Sequence, residues 1–112
     1  MSKKDPLVFV GHIIESIEKI EDFSKDLSKE DFFNDEMRQS AIVRQVEIIG
    51  EASKNISESF RNKYLNIPWK AMIGTRDKII HHYFGVDLEA VWRILEKDIP
   101  ELKKEILKIK RV

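Results

Sequence analysis

The chain is 112 residues long, 42% hydrophobic and 36% charged, with 20 basic and 20 acidic residues and no cysteine. That length allows a single domain, residues 1–112. A formal charge of zero argues against coating nucleic acid by global charge, and the lack of cysteine excludes disulfides, thiolate metal sites and a cysteine nucleophile. Charged residues exceed the roughly 25% of an average domain, as amphipathic helices with charged outer faces would require, and a reducing cytoplasm is the default compartment.

The basic start Met1-Ser2-Lys3-Lys4 imitates a signal peptide, but the apolar stretch behind it contains Gly11 and His12. It meets Glu15 and Glu18 without a small-residue cleavage site, so a soluble, unprocessed chain is expected. Asp5-Pro6 is a helix start, with the aspartate placed to cap and the proline at the first helical position. Phe9, Val10, Ile13, Ile14, Ile17 and Ile20 then recur at the spacing of one buried face, predicting a helix to about Asp22.

Ser28-Lys29-Glu30-Asp31 is a weak relative of the capping box and predicts a short turn of helix carrying Phe32 and Phe33. The apolar stripe Met37, Ala41, Ile42, Val46, Ile49, Ala52, Ile56 and Phe60 predicts one long helix over residues 35–61. Gly50 inside it costs about 1 kcal/mol against alanine and calls for a packing reason, such as a close helix crossing. Pro68-Trp69 opens a third segment, which Gly74-Thr75 either interrupts or restarts with Thr75 as the cap. Gly85 reads as a stop and Asp87 as the cap of the next helix, bearing Leu88, Val91, Trp92 and Leu95. Asp98-Ile99-Pro100 repeats the start signal for a last helix through Leu102, Ile106 and Ile109. Both tryptophans are read as core, and the lysine-rich C-terminus as a solvated face. With no sustained period-two alternation, the fold class is all-α, a four- to five-helix up-and-down bundle.

The densest chemical cluster is Arg76-Asp77-Lys78-Ile79-Ile80-His81-His82-Tyr83. On a continuous helix Arg76, Ile79, Ile80 and Tyr83 share one broad face, and Asp77 lies one turn from His81, where it can hold the ring and raise its basicity. Arginine offers a planar, permanently charged fork for phosphate, and histidine moves a proton near neutral pH. If Thr75 caps a helix, Arg76 also stands where backbone N–H groups favour an anion. Together these suit phosphodiester chemistry; the plain alternative is a salt-bridged helix with a surface histidine pair. Adjacent His81 and His82 diverge by 100° and do not readily chelate one ion, so no metal is expected. Arg44, Glu47 and Glu51 lie on one side of the long helix, as an exposed ion-pair ladder or as support beside Arg76.

The run Ile67-Pro68-Trp69, then Ile73-Gly74, then Arg76 through His81-His82-Tyr83 to Phe84-Gly85-Val86-Asp87, resembles the signature of HepT-like proteins of the HEPN superfamily, whose motif is Arg, four residues, His, any residue, Tyr. Arg44 with Glu47-Ile48-Ile49-Gly50-Glu51-Ala52 resembles that family's second block, and the segment from Trp92 to Pro100 fits its C-terminal helix. Asp77 departs from the more usual Asn, and Lys78 and His82 flank His81 as further polar groups. The resemblance implies a HEPN-like bundle and the toxin of a prokaryotic type VII-like toxin-antitoxin pair, a metal-independent endoribonuclease without cofactor. It further implies a homodimer whose motifs line one cleft, with Arg76 and His81 catalytic, tRNA or mRNA as substrate, and an MNT-type nucleotidyltransferase antitoxin that silences the toxin by transferring AMP to Tyr83. A second reading keeps the fold without catalysis, as a dimeric companion that binds nucleotide or substrate for its nucleotidyltransferase. A third is a dimerisation module without ligand.

Overall fold

The computed structural model describes residues 5–80 and 87–109, with side chains up to Thr75 in the first span. Asp5 accepts a hydrogen bond from the Leu7 N–H at 2.9 Å, which caps α1 (Pro6–Ser24) in the expected way. Val10, Ile13, Ile17 and Ile20 of α1 are all buried, whereas Phe9 and Ile14 at the edges of the stripe are half-buried. The chain leaves α1 through a tight turn in which the Leu27 N–H reaches the Ser24 carbonyl at 3.1 Å. Asp26 takes a positive φ of 57° there, a conformation that a short polar side chain tolerates better than most.

Ser28 caps the short α2 (Lys29–Phe33) through the Asp31 N–H. Phe32 is wholly buried and lies 5.6 Å from the half-buried Trp92 ring. The Gln39 amide donates to the Phe32 carbonyl at 2.9 Å and so ties α2 to α3 (Glu36–Asn55), itself capped by Asp35. Both α1 and α5 pack against α3. Ile42, Val46, Ile49 and Ala52 form its core face, and Gly50 is buried beside them. Met37, expected in the apolar stripe, is 80% exposed.

The long helix expected over residues 35–61 is divided. Ile56 turns to an extended backbone and inserts its side chain into the core, and Ser57 starts α4 (Glu58–Arg61) by accepting from the Phe60 N–H at 3.3 Å. Just upstream, Ser53 donates to the Ile49 carbonyl and Asn55 to the Glu51 carbonyl. Such local polar bonds compete with continuation of a helix.

The Pro68 carbonyl accepts the first bond of α5 (Trp69–Ile80), from the Met72 N–H. Asp87 caps α6 (Leu88–Arg93) through the Ala90 N–H at 3.1 Å, as expected, while Gly85 lies outside the described residues. The restart expected at Asp98 is absent. Helical backbone continues from α6 through a π turn, Ile94–Asp98, into α7 (Ile99–Ile106); Asp98 makes no side-chain cap bond, and the Ile99 N–H donates to the Ile94 carbonyl five residues back. Proline lacks an N–H and its ring collides with the carbonyl four residues earlier; the wider turn precedes Pro100 at the start of α7, where a proline is tolerated. Val91, Ile94, Ile99, Leu102 and Ile106 complete the core. Among the described residues there is no strand, and the fold is the expected all-α bundle.

Of the basic C-terminal residues, Lys103 pairs with Glu21 of α1 at 2.7 Å and Lys108 with Glu105 at 3.2 Å. Lys104 is exposed, and Lys110 and Arg111 lie outside the described residues. No helix among the described residues is long and apolar enough to cross a membrane.

Candidate active site on the motif helix

The first half of the motif helix is held in the core. Trp69 is buried and its indole N–H donates to the Tyr64 carbonyl at 3.1 Å; Met72 and Thr75, three and six residues on, are buried as well. Thr75 does not cap a new helix. It sits inside α5 and its hydroxyl donates to the Ala71 carbonyl at 2.6 Å. The anion site expected at a helix N-terminus beside Arg76 is therefore not formed, because Gly74-Thr75 is helix interior. Arg76, Asp77 and Lys78 instead occupy the C-terminal half of α5, the end where the backbone dipole favours cations. His81, His82 and Tyr83 lie outside the described residues.

Gly74 is half-buried, and a Cβ built on it would meet nothing within 4 Å. Packing among the described residues therefore does not require glycine at that position, one residue before the buried Thr75.

Arg44 and Glu47 are brought together with a residue that the sequence reading passed over. A groove of about 350 Å³ runs between α1 and α3. Phe9 and His12 of α1 form one wall, and Arg44, Glu47, Glu51 and Asn55 of α3 the other, over the half-buried Ile48 and the buried Ala52. The wall follows from helical spacing, since these residues recur every three or four positions opposite the core face. The His12 ring stands edge-on to Phe9, with centroids 6.1 Å apart and planes at 89°. Arg44 is exposed and Glu47 half-buried. Neither makes a side-chain hydrogen bond or ion pair among the described residues, so the ladder expected from their spacing does not form between them. The signal for His12 was its place three residues after Phe9, at the margin of the α1 apolar stripe.

A larger open depression of about 740 Å³ lies at the corner between α4 and α5, lined by Arg61, Asn62, Lys70 and the Trp69 ring among others. The Arg61 Nε there is buried without a hydrogen-bond partner. Among the described residues, no group of three or more His, Asp or Glu side chains converges as a metal site would need.

Comparison with known proteins agrees with the family resemblance. The model of the family described as "Ribonuclease HepT-like" matches residues 13–109. A Methanocaldococcus jannaschii protein named "Gamma-glutamylcyclotransferase and putative RNase" is 51% identical over 96% of this chain, which spans only 48% of that relative's length. A second protein of the same organism, named a putative RNase, is 44% identical over 95% of this chain and 97% of its own. The Thermococcus cleftensis protein named "Probable ribonuclease HepT" is 45% identical over 92% of this chain and 94% of its own. No solved structure gives a significant match. With a family model covering most of its length and near-full-length relatives more than 40% identical, the chain belongs to the HepT-like ribonuclease family.

Proposed function

We propose that this protein is an endoribonuclease, the toxin of a type VII-like toxin-antitoxin pair, that cuts tRNA or mRNA in the cytoplasm without a metal. The observation that carries this reading is the motif Arg76, His81, Tyr83 in a chain of the HepT-like ribonuclease family. In the proposed reaction the ribose 2′-oxygen attacks the adjacent phosphorus and the bond from phosphorus to the 5′-oxygen breaks, leaving a 2′,3′-cyclic phosphate and a 5′-hydroxyl. One His81 takes the 2′-hydroxyl proton, and the His81 of a second copy gives a proton to the departing 5′-oxygen. Arg76 neutralises charge that builds on the phosphoryl oxygens. A homodimer that places two such motifs in one cleft concentrates positive charge locally, so a net charge of zero is no obstacle to RNA binding.

Asp77, Lys78 and His82 support the site from the same segment, and Arg44 and Glu47 from α3. Tyr83 is the proposed acceptor of AMP from an MNT-type nucleotidyltransferase, which would set a bulky anion beside Arg76 and block the phosphate position. The test is cleavage of total RNA and tRNA in the presence of EDTA by wild type, Arg76→Ala and His81→Ala proteins of matched folding. Cleavage by wild type alone establishes the reading. Failure of all three to cut makes the protein the non-catalytic companion of its nucleotidyltransferase. Incubation with ATP and that partner enzyme should raise the intact mass by one AMP moiety and abolish cleavage; Tyr83→Phe should prevent both changes.

A further inference from the structure

The groove between α1 and α3 has a chemistry distinct from that of the motif. It holds one permanent cation, Arg44, and a carboxylate, Glu47, three residues apart on one helix with no ion pair between them, while a second carboxylate, Glu51, and Asn55 continue the same wall at intervals of one turn. Opposite stands the exposed His12, its ring edge-on to Phe9. The floor, Ile48 and Ala52, is apolar. At about 350 Å³ the groove lies at the lower end of the range for small-molecule sites.

An arginine and a carboxylate without side-chain partners among the described residues do not suit a phosphate, which the carboxylate would repel. They suit a planar group with two donors along one edge and two acceptors along another. Among RNA bases that description fits guanine. Its N1–H and N2–H donors meet both oxygens of a carboxylate, and its O6 and N7 acceptors match the guanidinium fork. Adenine alternates donor and acceptor on its pairing edge, cytosine offers one amino donor, and the uracil N3–H lies between two acceptors. Unstacked bases of single-stranded RNA are commonly held against an aromatic or imidazole ring, and His12 offers such a ring. The groove shares α3 with the motif helix, because both α1 and α5 pack on it.

We infer that the α1–α3 groove is a guanine-binding subsite, with His12 stacking on the base, Glu47 accepting from its pairing edge and Arg44 donating to O6 and N7. This rests on the ribonuclease reading, to which it adds a base preference at one fixed distance from the cut. The first test sequences the ends produced from a random-sequence RNA pool. Guanine should be enriched at one position relative to the cleaved bond, and Glu47→Gln, Arg44→Ala and His12→Ala should each lower that enrichment on the order of tenfold. Replacing that guanine by inosine, which lacks the N2 donor, should lower cleavage by wild type more than by Glu47→Gln. Enrichment of another base, or enrichment that the three variants leave intact, overturns the inference.

The second test does not depend on cleavage. The His12 ring resonances are followed by NMR as GMP, AMP, CMP or UMP is added to wild-type and Glu47→Gln protein, each folded as judged by its spectrum. Saturable shifts with GMP that weaken in Glu47→Gln support the subsite even where no RNA is cut, a result that would count against the ribonuclease reading alone. Equal shifts with all four nucleotides, or none with GMP, overturn the subsite.

Discussion

α1 and α5 both lie against α3, yet they use that support differently. α1 buries four β-branched side chains, Val10, Ile13, Ile17 and Ile20, along most of its length. α5 buries Trp69, Met72 and Thr75 in its first half and carries Arg76, Asp77 and Lys78 in its second. One helix is invested in packing almost throughout. The other seats Trp69, Met72 and Thr75 in the core and places the charged start of the motif just after them. Separating anchor from chemistry also makes the two separable by mutation.

The largest expected effect lies on α5. His81→Ala should lower RNA cleavage by about 10² to 10⁴-fold, the usual contribution of a positioned acid or base. Arg76→Ala should act in the same direction, and neither should move the unfolding midpoint appreciably; a large fall in thermal stability would show that the motif is structural. The counterpart on α1 is Ile17→Ala, at 1% exposure. Truncation there should cost about 2–5 kcal/mol in denaturant unfolding, while the folded fraction keeps its cleavage per molecule. A loss of activity in excess of the unfolded fraction would join the two helices functionally.

A smaller effect is expected on the shared support. Gln45 of α3 is buried and its Oε1 has no hydrogen-bond partner. An unmet buried acceptor costs about 1–3 kcal/mol, so Gln45→Met, similar in length and apolar, should raise stability by about 1 kcal/mol in urea titration. The smallest change is Gly74→Ala. A methyl group there meets nothing within 4 Å, and alanine in a helix interior gains about 0.5–1 kcal/mol over glycine. The midpoint should rise slightly. Loss of cleavage in that stabler protein would locate the close approach of RNA or of a second copy at Gly74, which would sharpen the contrast between the helices.

Much of the fold was legible because it is governed by local chemistry. Asp5-Pro6, Ser28 and Asp87 cap the helices that their sequence context announces, and the isoleucine spacing in α1 gave its buried face. The misreadings arose where local signals compete. Ser57 and Thr75 are both helix-capping residue types, yet one begins a helix and the other bonds back to the carbonyl of Ala71. Asp98-Ile99-Pro100 has the composition of a start, but the backbone passes through it by widening one turn. Met37 has the right spacing for the core and no element to cover it.

For the site, the sequence by itself determined the residue types and their order along the chain. The helical class and the position of Arg44 and Glu47 on one helix face follow from spacing, because a helix converts separation into direction, whereas the family was legible through the resemblance that the run from Ile67 to Asp87 carries. The tertiary structure decided which segments continue through glycine and proline, and that Trp69, Met72 and Thr75 of α5 enter the core. It also placed His12 opposite Arg44 and Glu47, across a groove between helices whose facing residues are more than 30 positions apart in sequence. Periodicity cannot reach that far, since it fixes the face of one helix and leaves to packing the question of which other helix that face meets.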